Sequence, residues 1–223
     1  MVHSNFGLLK QYREPNQNHI CSIYRNKDEQ FSLIIPYILQ GLDRDEKCIY
    51  IVDENTRAEV LDEFKKRIGK ERHSDLDNLI FMTKAEAYLK DGYFDPERMI
   101  DLLKESERIA LKEGHSGMRF TGEMTWVFTK LPGVEKLFEY EAKLNYFFPG
   151  SKSKAICQYN ENKFAPELLI DVIYTHPVVG LYGYLFENPH YMSPEIFLAR
   201  KSGDVSRTTY ENLRDDILRS AGI

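Results

Sequence analysis

Short apolar runs alternate with amphipathic helical stripes five times along this chain. That order constrains the fold more than any other feature of the sequence. Residues 19–24 (HICSIY), 47–52 (KCIYIV), 79–82 (LIFM), 118–121 (MRFT) and 154–159 (KAICQY) have the length and apolar density of strands covered on both faces. Between them, residues 28–42 put Phe31, Ile34, Ile35, Ile38, Leu39 and Leu42 on one helical stripe, with a bend expected at Pro36. Thr56 is placed to cap a helix that ends near residue 68, with Val60, Leu61 and Phe64 inward. Asp95-Pro96 opens another, which buries Met99, Leu102, Leu103 and Ala110 and stops at Gly114. Pro132 is expected to open a helix with Val134, Leu137, Phe138, Leu144 and Phe148 inward. A short helix over 165–174 buries Leu168, Leu169, Val172 and Ile173, and His176-Pro177 ends it, because the residue before proline avoids helical backbone.

Such alternation predicts an α/β domain of three layers, a mainly parallel central sheet with helices on both faces. Residues 178–186 read as one more strand, in which Gly180 and Gly183 mark turns or bulges. Residues 1–198 are read as a single domain. Residues 199–223 are read as a charged helical extension or linker with little burial, since only Tyr210, Leu213 and Ile217 form a sparse stripe there.

At 223 residues and 42% hydrophobic content the chain can bury a core without staples. A net charge of −5 and the lack of a basic run argue against direct nucleic-acid binding. No apolar stretch is long enough to span a bilayer, and the first residues lack a signal-peptide core, so no membrane association is expected. The three cysteines, Cys21, Cys48 and Cys157, are far apart and odd in number. This predicts free thiols and a reducing, cytoplasmic location.

The turn after the first strand, Arg25-Asn26-Lys27-Asp28-Glu29, has no glycine and two acids, so it cannot cradle a polyphosphate. Gly114-His115-Ser116-Gly117 has the wrong spacing and context for a nucleophile elbow and reads as a helix stop. His19 and Cys21 share a strand face, and Cys48 starts the next strand. A metal site built on these three is set aside for want of a local ligand pair, and no metal or cofactor is expected. Parallel sheets bind ligands beyond the C-terminal ends of their strands. There a pocket is expected between Tyr24, Glu123, Trp126 and Tyr159, with Arg25 or Arg119 to hold an anionic end. A buried Arg119–Glu123 ion pair is the competing account.

The segments HICSIYRNKDEQF, EKCIYIVDE, MRFTGEMTW, AICQYNENKF and THPVV with ENPHYMSPEIFL, in that order over about residues 17–198, resemble the MEDS sensory domain. That family is named for methanogens, methylotrophs and the dichloromethane-responsive repressor DcmR. The resemblance implies a RecA- or KaiC-like domain without a functional phosphate loop, and a non-catalytic sensor of a small, partly apolar hydrocarbon derivative. It also implies a signalling or transcriptional protein partner; the sparse stripe of the tail, read by itself, allows a connector to such a partner or to a second copy in a homodimer. His19, Tyr24, Glu29, Glu123 and His176 match the family's characteristic positions. The alternatives are a degenerate nucleotide-binding enzyme and a ligand-free interaction module.

Overall fold

The computed structural model describes residues 18–200, 209–220 and 222. Its strands are β1 (His19–Tyr24), β2 (Glu46–Val52), β3 (Leu79–Thr83), β4 (Gly117–Glu123), β5 (Ser153–Asn160), β6 (Val178–Leu181) and β7 (Tyr184–Glu187). They form one sheet in the order β3-β2-β4-β5-β1-β6-β7. Every pairing is parallel except β6 with β7. The helices are α1 (Lys27–Asp43), α2 (Arg57–Arg67), α3 (Pro96–Lys112), α4 (Leu137–Phe147), α5 (Pro166–Thr175), α6 (Pro194–Leu198) and α7 (Tyr210–Ser220).

The side-chain alternation of the strands divides the core into two layers. On one face α1 and α2 pack Phe31, Ile34, Ile38, Val60 and Phe64 over Ile20, Cys48, Tyr50 and Ile156. On the other, α3, α4, α5 and α7 pack over Cys21, Ile23, Phe120, Ala155, Cys157 and Tyr159. Caps fall where the sequence predicts them. Thr56 accepts the Glu59 N–H, and Glu59 returns a bond to the Thr56 N–H, which satisfies two orphan donors at the start of α2. Asp95 accepts from the Arg98 N–H ahead of Pro96 at the start of α3. Helix α1 continues through Pro36 without a break.

Three expectations need correcting. Residues 178–186 do not run as a single strand but as part of an antiparallel hairpin over residues 178–187, turned at Gly183, one of the two glycines expected to mark a turn or bulge. Tyr182 (φ 55°) and Gly183 (φ 93°) form its turn, the left-handed pair that matches strand twist in two-residue loops. Gly180 marks neither turn nor bulge. It lies within β6, where a Cβ would approach the Leu33 side chain to 2.7 Å, so its role is close packing of α1 on the sheet. Pro132 does not open α4. The chain turns at Gly133 (φ 88°), makes a 3₁₀ turn over Val134–Lys136, and only then starts the helix at Leu137.

The third correction concerns the tail. The described part after residue 200, α7, is no loosely attached extension. Tyr210, Leu213 and Ile217 are at most 3% exposed and belong to the core layer under α5. Their i, i+3, i+7 spacing makes one continuous buried face along the helix. No helix among the described residues is long and apolar enough to cross a membrane.

Candidate functional site

Helix α4 carries its apolar stripe at Leu137, Tyr140, Leu144 and Phe148, and Glu141 falls on the same stripe, so the helix presses a carboxylate into the core. Directly opposite, β1 and β5 run side by side, with Cys21 paired to Cys157 and Ile23 to Tyr159. Alternation turns His19, Cys157 and Tyr159 to the α4 face. The α5–β6 junction supplies His176. His19, Glu141 and His176 are at most 1% exposed, Tyr159 is fully buried, and Cys157 is buried as well.

These side chains converge. His19 Nε2 lies 3.1 Å and His176 Nε2 3.3 Å from the same Glu141 oxygen, Oε2. The Cys157 thiol lies 3.6 Å from that oxygen and 3.8 Å from His19 Nε2. The Tyr159 hydroxyl donates to Glu141 Oε1 at 2.7 Å. Outside this ring of contacts, His176 Nδ1 donates to the Val172 carbonyl at 2.8 Å, and His19 Nδ1 meets Asn145 Oδ1 at 3.2 Å. Burial lowers His19 to about 4, helped by the neighbouring His176 ring and opposed by Glu141. Burial pushes the Glu141 carboxyl up, but His176 and His19 outweigh it and hold the group below its usual range. Burial, and then Glu141, push the Cys157 thiol well up.

A cavity of about 160 Å³ lies against this cluster, at the N-terminal ends of β1 and β6. Asn18, His19 and Asn145 give it a polar floor. Phe148, Pro149, Pro177 and Tyr191 give it apolar walls.

The C-terminal edge of the sheet is built differently. Glu123 is fully buried and accepts from the Asp53 and Asn55 N–H groups at 2.9 and 2.8 Å, from the Asn55 amide at 2.8 Å, and from the Tyr50 hydroxyl at 2.8 Å. Gln30 and Gln158 extend this network under α1. At the start of α1, Asn26 accepts the Glu29 N–H, while Glu29 accepts the Arg25 N–H at 2.8 Å and clamps its guanidinium at 2.6 Å. Two backbone amides of this turn, those of Arg25 and Glu29, are thus already taken by the chain's own side chains.

Tyr24, Glu123, Trp126 and Tyr159 are each at most 2% exposed, and they do not converge on one opening. Tyr24 reaches Glu54, Trp126 stacks between Tyr88 and Phe94 at 4.7 and 4.5 Å, and Tyr159 turns to Glu141. Arg25 is exposed and lies over the Tyr182 ring. Arg119 does not pair with Glu123. It points to the opposite end of the sheet, where it pairs with Glu46 and donates to the Tyr37 carbonyl at 2.9 Å, because residues on one strand four apart sit about 13 Å from each other. The trio His19, Cys21 and Cys48 is not assembled either. Cys48 lies in the layer on the other face, and Cys157, paired with Cys21 across β1 and β5, is the thiol that meets His19. Of the residues singled out in the sequence, the structure brings His19, Tyr159 and His176 together, around Glu141, Asn145 and Cys157, which were not among the candidates. The available signal was a carboxylate on the buried stripe of α4.

Residues 18–177 match the sequence profile of MEDS, the methanogen/methylotroph, DcmR sensory domain. Among solved structures, a KaiC-like protein from the hyperthermophilic archaeon Pyrococcus horikoshii OT3 is similar at 11% identity and a TM-score of 0.47, over 74% of this chain and 71% of that one. No curated protein matches the chain in sequence.

Proposed function

The chain belongs to the MEDS family of sensory domains, and from that membership we propose that it is a non-catalytic sensor of a small, partly apolar organic molecule that acts on a signalling or transcriptional partner. The observation that carries the ligand reading is the cavity beside His19. Its volume of about 160 Å³ is the size that holds a benzene-sized molecule, about 150 Å³. Two prolines, Phe148 and Tyr191 suit an apolar body, while Asn18, with His19 and Asn145 beside it, makes the other end polar. An occupant would touch His19 and Asn145, and through them the buried cluster on Glu141. The self-capped start of α1 supports the absence of nucleotide chemistry.

The test is a thermal-shift screen of short-chain halogenated, hydroxylated and carboxylated hydrocarbons. A hit should raise the midpoint of the unaltered chain and lose most of its effect in Tyr191→Ala, whose partly exposed side chain lines the cavity. A set of compounds this size with no saturable effect, or hits indifferent to Tyr191 and Asn145, would remove the reading.

A further inference from the structure

We propose that His19, Glu141, Cys157 and His176 bind a single divalent transition-metal ion of the zinc class. Their donor atoms, two imidazole nitrogens, a carboxylate oxygen and a thiol sulfur, all lie within 4.8 Å of one another, and all four residues are buried. An ion with bonds of about 2.0–2.3 Å to four tetrahedral ligands sets those ligands about 3.3–3.8 Å apart. The contacts of 3.1, 3.3, 3.6 and 3.8 Å between these atoms are close to those edges before any adjustment.

Hydrogen bonding shows which lone pairs face inward. The Val172 carbonyl can only accept, so His176 Nδ1 carries a hydrogen. The Asn145 amide nitrogen donates to the Thr175 carbonyl at 2.8 Å and to the Glu141 carbonyl at 3.1 Å, which fixes Oδ1 toward His19 and places a hydrogen on His19 Nδ1. With neutral rings, both Nε2 atoms then present lone pairs to a carboxylate oxygen. A proton on one of them leaves the other without a partner, and His176 Nε2 is such an atom: fully buried, aimed at Glu141, and without a hydrogen bond. A cation between the four groups satisfies all of them at once. Each histidine is also oriented by a hydrogen bond from its outer nitrogen, and Tyr159 orients the carboxylate, an arrangement typical of the shell around a metal site.

Charge closes as well. Two neutral imidazoles, one carboxylate and one thiolate around a dication sum to zero, the condition for full burial. On binding, the Cys157 thiol gives its proton to solvent and the sulfur forms the metal bond, with no change in oxidation state. Four protein ligands leave no open position, so the ion would pin α4 to β1, β5 and the start of β6 rather than activate water. Thiolate and imidazole together select zinc or cobalt over magnesium or calcium. The metal site shares His19 with the wall of the neighbouring cavity, but its formation requires no organic ligand.

The test is titration of the metal-depleted full chain with cobalt(II). The expected result is one equivalent bound, with intense visible absorption from a four-coordinate ion and a near-ultraviolet thiolate-to-cobalt band, both abolished by competing zinc. Cys157→Ser should lose the near-ultraviolet band and keep the visible one. Asn145→Ala, which removes the outer partner of His19 together with the bonds to the Glu141 and Thr175 carbonyls but no metal ligand, should weaken binding about 10–100-fold. Elemental analysis of the unaltered protein as purified gives a second readout that needs no variant, with close to one zinc per chain expected. Failure of the unaltered chain to take up one equivalent, or a thiolate band that survives Cys157→Ser, overturns the proposal.

Discussion

His19 Nε2 and Glu141 Oε2 are 3.1 Å apart although 122 positions separate them in the chain. The contact joins β1 to a helix packed on one face of the sheet, and both side chains are at most 1% exposed. Removing the carboxylate strands two imidazoles, a thiol and the Tyr159 hydroxyl around an empty volume. Glu141→Ala should therefore cost about 1–3 kcal/mol for each buried polar group left without its partner. Urea unfolding with an unchanged slope is the measurement.

The same pair predicts acid lability of the metal-free chain. His19 falls from 6.5 to about 4 on folding, so below about pH 6.5 the unfolded chain takes up a proton that the native chain refuses. Glu141 is held below its ordinary value of 4.5, so a second proton uptake favours unfolding in the carboxylate range. Both shifts have the same sign. Stability should fall as pH drops below about 6.5 and keep falling past 4.5. A midpoint that stays flat from pH 7 to 4.5, and drops no further in His19→Asn, would contradict this.

At the other end of the strands, Glu123→Gln trades a four-fold acceptor for a group with one acceptor and one donor. Its amide nitrogen would face either the Asp53 and Asn55 N–H groups or the Tyr50 and Asn55 side chains, which now donate. A cost of about 1–3 kcal/mol is expected from the unmatched donors, read from the shift of the denaturation midpoint.

The last helix is part of the core. Ile217 is fully buried, and Ile217→Ala should cost about 2–5 kcal/mol. A chain ended before Thr209 should melt well below the full one. If both changes left the midpoint in place, α7 would be an appendage after all.

Magnesium-ATP should give no saturable heat on titration. The obstacle is stereochemical, since Asn26 and Glu29 already occupy the Glu29 and Arg25 amides at the start of α1. Micromolar binding that disappears on removal of magnesium would refute it.

The layer order, the parallel sheet and most caps were legible because local chemistry sets them. Thr56-x-x-Glu59 and Asp95-Pro96 do the same thing in any α/β chain. At the hairpin Gly183 was legible as a turn or bulge, but Gly180 was an equal candidate, and two short strands and one long bent strand have the same apolar content. The turn depends on a tyrosine held at positive φ by what surrounds it. The candidate site was half visible. His19 and His176 lie in recognisable segments, but Glu141 sits in a helix that reads as ordinary. Only the tertiary contact of α4 with β1 and β5 gives it meaning. Arg119 shows the opposite error: its strand was identified, but its partner, Glu46, lies on a neighbouring strand whose register the sequence does not state.

Among the described strands β1 comes first in sequence, yet it sits between β5 and β6. A ribosome making this protein therefore releases the middle of the sheet's hydrogen-bonding ladder before either neighbour exists. The segment β2-β4 with β3 has all its strands by residue 123, but β1 waits for residues 153–160 and 178–181. At about 5–20 residues per second that wait is on the order of ten seconds. Through it, an apolar strand carrying Ile20, Cys21 and Ile23 has unpaired edges on both sides. The growing chain must be shielded there, by α1 folding back over it or by a chaperone, and the N-terminal strand is where failed synthesis would begin to aggregate.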